Sequence, residues 1–294
     1  MRLSVIIATK DRASYLERAL ASLAVQIAAP SFEVLVVDNG STDWTRAVVE
    51  HEARRDRFPV EYIFEPEPNR GMARNRGIDR AKGHVILFID DDIVLPPGFL
   101  AAHEAAHTTP NLVVNGPILN VHSENERPKP SYANYSRAFL CTCNVSIPKH
   151  ALNAVGGFDD TFNLYGWEDT ELGVRLREAG VQWRFAWDAY LWHIKLPSDD
   201  TLEVQTQKTM EKARMAARFV KKAPTSRVRL ATGLHTANLL RARYLLPEAL
   251  LAIYAGAATE KRLPGWLRSL ARGQFLDAMY AKELLAQRDH RGDV

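Results

Sequence analysis

The sequence predicts an α/β fold: a mainly parallel sheet covered by helices on both faces, followed by a helical C-terminal region. Three observations predict it. Apolar runs of strand length alternate with stretches of helical periodicity from Leu3 to Asp92. Three of those runs end in polar loops, "ATKDR", "VDNGSTD" and "IDDD". After Pro197 the chain reads as helical to its end, without a strand signal.

The elements follow in order. "LSVIIAT" (Leu3–Thr9) reads as a buried strand, and "ASYLERALASLAVQ" places Leu16, Leu20 and Leu23 at helical spacing. "FEVLVVDNGSTD" is a second strand that breaks at Asp38. "DWTRAVVEHEARR" is a helix with Asp43 as its N-cap, and "VEYIFEPEPNRG" a shorter strand and loop. "MARNRGIDRAKG" is a helix ended by Gly83, and "HVILFIDDD" the strand after it. "SENERPKPSYANYS" reads as a loop or lid, "FLCTCNVSIP" as a strand and "AVGGFDDTFNLYGWED" as a loop. "DTELGVRLREAG" is a helix closed by Gly180, and "VQWRFAWDAYLWHIKLP" holds one or two strands. Two regions are expected, a catalytic domain over 1–200 and a basic helical region over 201–294.

Charge distribution supports that division. The formal total is only +3, but residues 1–200 hold 21 Lys+Arg against 27 Asp+Glu, and residues 201–294 hold 17 against 8. The basic region is expected to dock on an acidic partner. That partner is the acidic front domain, a second copy in a homodimer, or an anionic membrane surface carrying a lipid-linked acceptor. No nucleic-acid partner is expected. The only cysteines, Cys141 and Cys143, cannot complete a tetrahedral zinc site and read as a reduced pair. "MRLSVIIATKDR" does not read as a secretory signal, and no stretch of about 20 apolar residues suggests a membrane span. A cytoplasmic location, or the inner face of the membrane, is the expectation.

In open α/β sheets ligands bind outside the carboxyl ends of the strands, which is where the acids gather. Asp90, Asp91 and Asp92 offer hard oxygen donors suited to Mn2+ or Mg2+, or form a solvated acidic turn. Alternation along an extended chain lets Asp90 and Asp92 converge while Asp91 turns elsewhere. Asp38 either accepts a nucleobase N–H or makes an Asx-turn. Arg74 is a permanently charged donor for a phosphate or base. Glu168 and Asp169 begin a helix, where acids are stabilising in any case. Beside Trp167, which suits a sugar face, one of them also suits proton abstraction from a hydroxyl. His193 is a hydrogen-bonded core histidine or a metal ligand. The dinucleotide motif G-x-G-x-x-G is absent, which excludes a Rossmann dehydrogenase. A sugar-1-phosphate nucleotidyltransferase would want a Gly-rich loop after the first strand, and "IIATKDRASYL" has none.

"SVIIATKDR", "VLVVDNGSTD", "NRGMARNRGIDRAKGHVILFIDDD", "GGFDDTF" and "GWEDTELGVRLREAG" occur in an order and spacing that resemble the family 2 glycosyltransferases, inverting enzymes with the GT-A fold. The resemblance spans roughly residues 2–195. It implies a nucleotide-diphospho-sugar donor, UDP- or dTDP-linked before GDP-linked, and a glycan, lipid-linked or small-molecule acceptor. It places Thr9 and Asp38 in the nucleoside pocket, Arg74 beside base and phosphates, Asp90 near the ribose with Asp91 alongside, and Asp92 on the metal. Asp169 becomes the catalytic base and Glu168 an acceptor contact; His193 resembles a late metal-binding histidine. The Gln-x-x-Arg-Trp signature of processive synthases is absent after "GWED", so single transfer is implied. A non-catalytic nucleotide-sugar-binding subunit is the rival reading, and intact Asp92 and Asp169 weigh against it.

Overall fold

A computed structural model describes residues 2–123, 125–195 and 201–289. In chain order its elements are β1 (Leu3–Thr9), α1 (Ala13–Leu23), β2 (Phe32–Asp38), α2 (Thr45–Arg55), β3 (Val60–Phe64), α3 (Arg70–Arg80) and β4 (Val85–Ile89). Then come β5 (Ile93–Val94), α4 (Phe99–Ala106), β6 (Leu112–Asn115), β7 (Ile118–Val121), β8 (Asn144–Pro148), α5 (Lys149–Val155), α6 (Glu168–Glu178), β9 (Gln182–Phe185) and β10 (Leu191–Ile194). Five helices complete the chain: α7 (Leu202–Lys222), α8 (Ser226–Thr232), α9 (Thr236–Tyr244), α10 (Glu248–Thr259) and α11 (Gly265–Asp289).

The chain divides into two compact units. One comprises residues 1–163 and 168–196, the other residues 164–167 and 197–294. The expected boundary at residue 200 lies outside the described residues, and the short segment 164–167 belongs with the helical unit.

In the first unit seven strands run in the order β3-β2-β1-β4-β8-β6-β9. β3, β2, β1 and β4 are parallel, as the alternation of strands and helices implies. β8 runs antiparallel to both β4 and β6. A small second sheet has the order β5-β10-β7. Side-chain parity explains why β1 is apolar on both faces from Val5 to Ala8. Leu3, Val5 and Ile7 face Leu16, Leu20 and Val49 of α1 and α2, while Ile6 faces Ala73 of α3 and Leu172 and Leu176 of α6. Each such side chain contributes about 1.5–3 kcal/mol of burial.

Two terminal signals work differently from their sequence reading. Asp43 precedes the cap position of α2, yet its Oδ1 accepts the Thr45 N–H at 3.0 Å and its Oδ2 accepts the Ala13 N–H at 3.0 Å, tying α2 to α1. Gly83 does not cap α3, which ends at Arg80. A Cβ at Gly83 would stand 2.5 Å from the Ser4 nitrogen, so glycine is required there for close approach to β1. Gly180 does close α6, at φ +79. The strand expected over "FLCTCNVSIP" begins only at Asn144, and both cysteines lie ahead of it.

In the helical unit Ala213, Ala216, Leu239 and Leu284 form one buried cluster, and Leu246, Leu251, Ala278 and Ala281 another. Part of its basic surplus is engaged internally. Arg241 pairs with Asp277 at 2.6 Å, and Lys208 and Lys212 lie over the rings of Tyr165 and Trp167. Among the described residues no helix is long and apolar enough to cross a membrane.

Candidate active site

The acid run leaves β4 at the carboxyl end of the sheet, and its three members point to different partners. Asp91 is buried. Its Oδ2 accepts the Thr9 hydroxyl at 2.7 Å and its Oδ1 accepts Arg12 Nη1 at 3.1 Å. Burial is the largest influence on this carboxyl and pushes it up to about 6, although Arg12 pulls it down. Asp91, expected in the nucleotide-sugar site, is thus held by Thr9 and Arg12, and it occupies the Thr9 hydroxyl. Arg12 was not singled out by sequence. It also reaches Asp92 Oδ2 at 2.7 Å, so a single guanidinium relieves the repulsion between two adjacent carboxylates.

The other oxygen of Asp92 lies 3.1 Å from His193 Nε2. Burial works against the Asp92 carboxylate, but His193 and Arg12 together hold it below the ordinary Asp range. His193 Nδ1 donates to Asn120 Oδ1 at 2.9 Å. Nε2 is therefore the nitrogen left to carry a second proton toward Asp92 or to offer its lone pair to a cation. Asp90 turns to the other side. Its Oδ1 is 3.9 Å from Arg74 Nη2, and its carboxylate lies near the Cys143 thiol. Asp90, Cys143 and His193 each present one donor atom within 4.8 Å of the other two. The expected convergence of Asp90 and Asp92 thus runs through His193, and a cysteine read as inert belongs to the same cluster.

This donor set fits a divalent cation. It offers carboxylate, imidazole and sulfur donors, and Asp92 Oδ1 is buried with the His193 ring as its sole polar neighbour among the described residues.

A second group of acids lies across Arg74. Arg74 is buried, with its guanidinium 5.6 Å from the Phe158 ring, and its Nη1 donates to Glu168 Oε1 at 3.3 Å. Glu168 Oε2 is buried and has no hydrogen-bond partner among the described residues. Asp169 is half-buried, and its Oδ1 accepts the Thr170 N–H at 2.7 Å. Burial first, and then the neighbouring Glu168, raise its carboxyl above the ordinary Asp range, against the pull of Arg74. The turn into α6 is strained: Gly166 and Trp167 both have left-handed φ values, +94 and +73. Trp167 belongs to the helical unit. Its ring lies 5.9 Å from Phe219 and under Lys212, so the surface expected to receive a sugar already has protein neighbours.

At the end of β2, Asp38 is buried, and its Oδ1 accepts the N–H of Ser41, three residues on, at 2.7 Å, which braces the loop without the two-residue spacing of an Asx-turn. Its Oδ2 accepts the Tyr62 hydroxyl at 2.7 Å, and burial together with this bond pushes the phenol up to about 12, which keeps it a donor. The loops after β1 and β2 are cross-braced, because Asp11 accepts the Thr42 N–H at 2.7 Å and donates its own N–H to Ser41 Oγ at 2.9 Å.

A family model for glycosyl transferase family 2 matches residues 4–164. The chain belongs to this family. Over 92% of its length it is 31% identical to a validoxylamine A glucosyltransferase of Streptomyces hygroscopicus subsp. limoneus, and it spans 65% of that relative's length. Among solved structures it is similar to the mannosyltransferase PcManGT of Pyrobaculum calidifontis, in complex with GDP-Man and Mn2+, with a TM-score of 0.68 at 20% identity over 97% of this chain and 87% of the other. It is also similar to S. aureus TarS 1-349 in complex with UDP-GlcNAc, with a TM-score of 0.58 at 20% identity over 99% of this chain and 92% of the other. Its fold is that of these GT-A structures, a mainly parallel central sheet flanked by helices, with a helical C-terminal region.

Proposed function

We propose that the enzyme moves one sugar per encounter from a nucleotide-diphospho-sugar to an acceptor hydroxyl, with inversion at the anomeric carbon and with a divalent cation. One observation carries this reading. A buried guanidinium, Arg74, stands between two acid groups of different chemistry, 3.9 Å from Asp90 and 3.3 Å from Glu168. Inversion needs a leaving group on one face of the sugar and a base on the other. Asp92 and His193 suit the leaving-group side, and Asp169 suits the base.

Asp38 would accept a nucleobase N–H, and Asp90 would hold the ribose. Arg74 would lie against the phosphates, its position fixed by Phe158 and Glu168. Asp92 and His193 would hold Mn2+ or Mg2+, and the cation when bound supplies positive charge for the departing diphosphate. Asp169 would take the acceptor proton as that hydroxyl attacks, and the unpartnered oxygen of Glu168 would orient the acceptor. The raised carboxyl of Asp169 favours this role, because a base is more effective as its pKa nears the working pH.

UDP or dTDP is preferred over GDP, and the validoxylamine A glucosyltransferases support glucosyl transfer as the first reaction to test. The test begins with thermal unfolding in Mn2+ against UDP-glucose, dTDP-glucose and GDP-mannose, since a ligand that binds the native state raises its stability. The donor that stabilises the protein is then incubated with acceptors, and the anomeric configuration of the product is read by NMR. No stabilisation by any nucleotide sugar, or retention of configuration, would overturn the reading.

The helical unit exposes Leu245, Ile253 and Trp266 beside its basic surplus, which supports peripheral contact with an anionic membrane and a lipid-linked acceptor. Equal recovery on anionic and neutral vesicles in a low-salt flotation experiment would remove that contact.

A further inference from the structure

We propose that Cys143 is a sulfur ligand of the cation site, so that the site selects a thiol-tolerant divalent ion such as Co2+ or Zn2+ over Mg2+. The inference rests on the cation reading above, adds Cys143 to its donors and moves Asp90 from the ribose to the cation.

Strand register brings the three donors together. Antiparallel pairing of β4 with β8 sets Ile89 opposite Asn144, which leaves the next residues, Asp90 and Cys143, facing each other where the two strands part. The Cys143 sulfur and an Asp90 carboxylate oxygen lie within 4.8 Å of each other there. On the other side, β10 pairs with β5 so that His193 stands opposite Ile93, and the Ile194 N–H donates to the Asp92 carbonyl at 2.8 Å. β10 also pairs with β7, and the cross-strand partner of His193 is Asn120, the residue that takes its Nδ1 proton. Metal-binding histidines are oriented by just such an outer partner on the second ring nitrogen.

The spacing suits one ion. The three donor atoms lie within 4.8 Å of one another. At usual ligand bond lengths, donors across an ion stand roughly 4–5 Å apart. The set also has a chemical bias: sulfur favours cobalt and zinc, and carboxylate with water favours magnesium. Binding would form a sulfur–metal bond as the thiol proton leaves to solvent, and Asp90 is the first group placed to receive it.

Cobalt tests the proposal without reference to turnover. Metal-free enzyme is titrated with Co2+ in the presence of UDP while the absorption spectrum is recorded. Wild type is expected to show visible ligand-field bands, reporting bound cobalt, together with a near-ultraviolet sulfur-to-cobalt band. Cys143→Ser should keep the visible bands and lose the ultraviolet one, and Cys141→Ser should keep both. Competition with Mg2+ should shift against cobalt in Cys143→Ser by at least the about 10-fold that loss of an outer-shell partner costs. Visible bands without the sulfur band in wild type, or a sulfur band that survives in Cys143→Ser, overturns the proposal and leaves the cation reading standing. No cobalt bands at all overturns both. The wild-type spectrum is decisive by itself should the serine variant fail to fold.

Discussion

Replacing Asp169 with Asn removes a charge while keeping the shape. The amide oxygen can still accept the Thr170 N–H that Oδ1 accepts at 2.7 Å, so the first turn of α6 keeps that bond. What disappears is the ability to take a proton. A positioned acid–base group is worth about 10²–10⁴ in rate, or about 2.7–5.4 kcal/mol of barrier at about 1.36 kcal/mol per decade. Donor affinity should change by no more than a few-fold, because Arg74 contacts Asp90 and Glu168 rather than depending on Asp169. Stability gives an independent check. Burial and Glu168 raise this carboxyl in the folded protein. The native state therefore holds the proton to higher pH than the unfolded chain, and ionisation costs stability once pH rises through the folded value. Asp169→Asn should be at least as stable as wild type in mild alkali, and the advantage should fade on acidification. Wild-type transfer should fall as pH drops through a value above the ordinary Asp range, and the residual rate of the variant should be flat there. Calorimetry with UDP and Mn2+ gives affinity, and release of nucleoside diphosphate gives the rate. Transfer near the wild-type rate would refute the assignment. Equal loss of donor binding would make Asp169 a donor-site residue.

Three further outcomes follow from the same geometry. Asp92→Asn should weaken binding of UDP in Mn2+ far more than binding of uridine, and equal affinities with and without EDTA would remove the cation from donor binding. Gly116→Ala would place a Cβ 1.7 Å from the Ala189 carbonyl oxygen and 2.7 Å from Asn144 Nδ2, an overlap expected to cost about 3 kcal/mol or more, and an unchanged urea midpoint would contradict it. His103 is fully buried against Ser146 and Asn144, and burial lowers its pKa from 6.5 to about 3. It stays neutral while the unfolded chain gains a proton, so between pH 7 and pH 5 it should withdraw about 2 kcal/mol of stability at about 1.36 kcal/mol per unit; His103→Gln should show a shallower acid slope, and parallel slopes would exclude this histidine.

The parallel half of the sheet was legible because each strand carries its own signal. β1, β2 and β4 are buried on both faces and carry the apolar runs "VIIA", "VLVV" and "VILFI", and the helices between them keep their period. The region from Asn111 to Val145 was not, because β6 and β7 have four residues each and are split by Gly116 and Pro117. Their pairing with β8, β9 and β10 is long-range, and nothing local reports it. β5, with two residues, is below any periodic signal. Trp167 stood out as an aromatic beside two acids, and nothing local in the sequence reports that Phe219 and Lys212 lie against its ring.

The site divides along the same line. Family motifs supply acids at strand ends, and sheet register decides what each acid touches. Asp90, Asp91 and Asp92 are consecutive, yet their partners come from four other places: Thr9 at the end of β1 with Arg12 just after it, Arg74 in α3, Cys143 before β8 and His193 in β10. Arg12 follows a strand whose only visible signal is its apolarity, and its role depends on β1 lying beside β4. Cys143 meets Asp90 because Ile89 pairs with Asn144, a register that no spacing in the sequence encodes. A run of like charge at a strand end is thus tolerated here by partition: one carboxylate is buried against a hydroxyl and a guanidinium, and the other two are left with partially filled coordination. That unfilled remainder, an imidazole nitrogen, a thiol and two carboxylates on register-fixed backbone, is the part of the cluster that the proposed cation and diphosphate would complete.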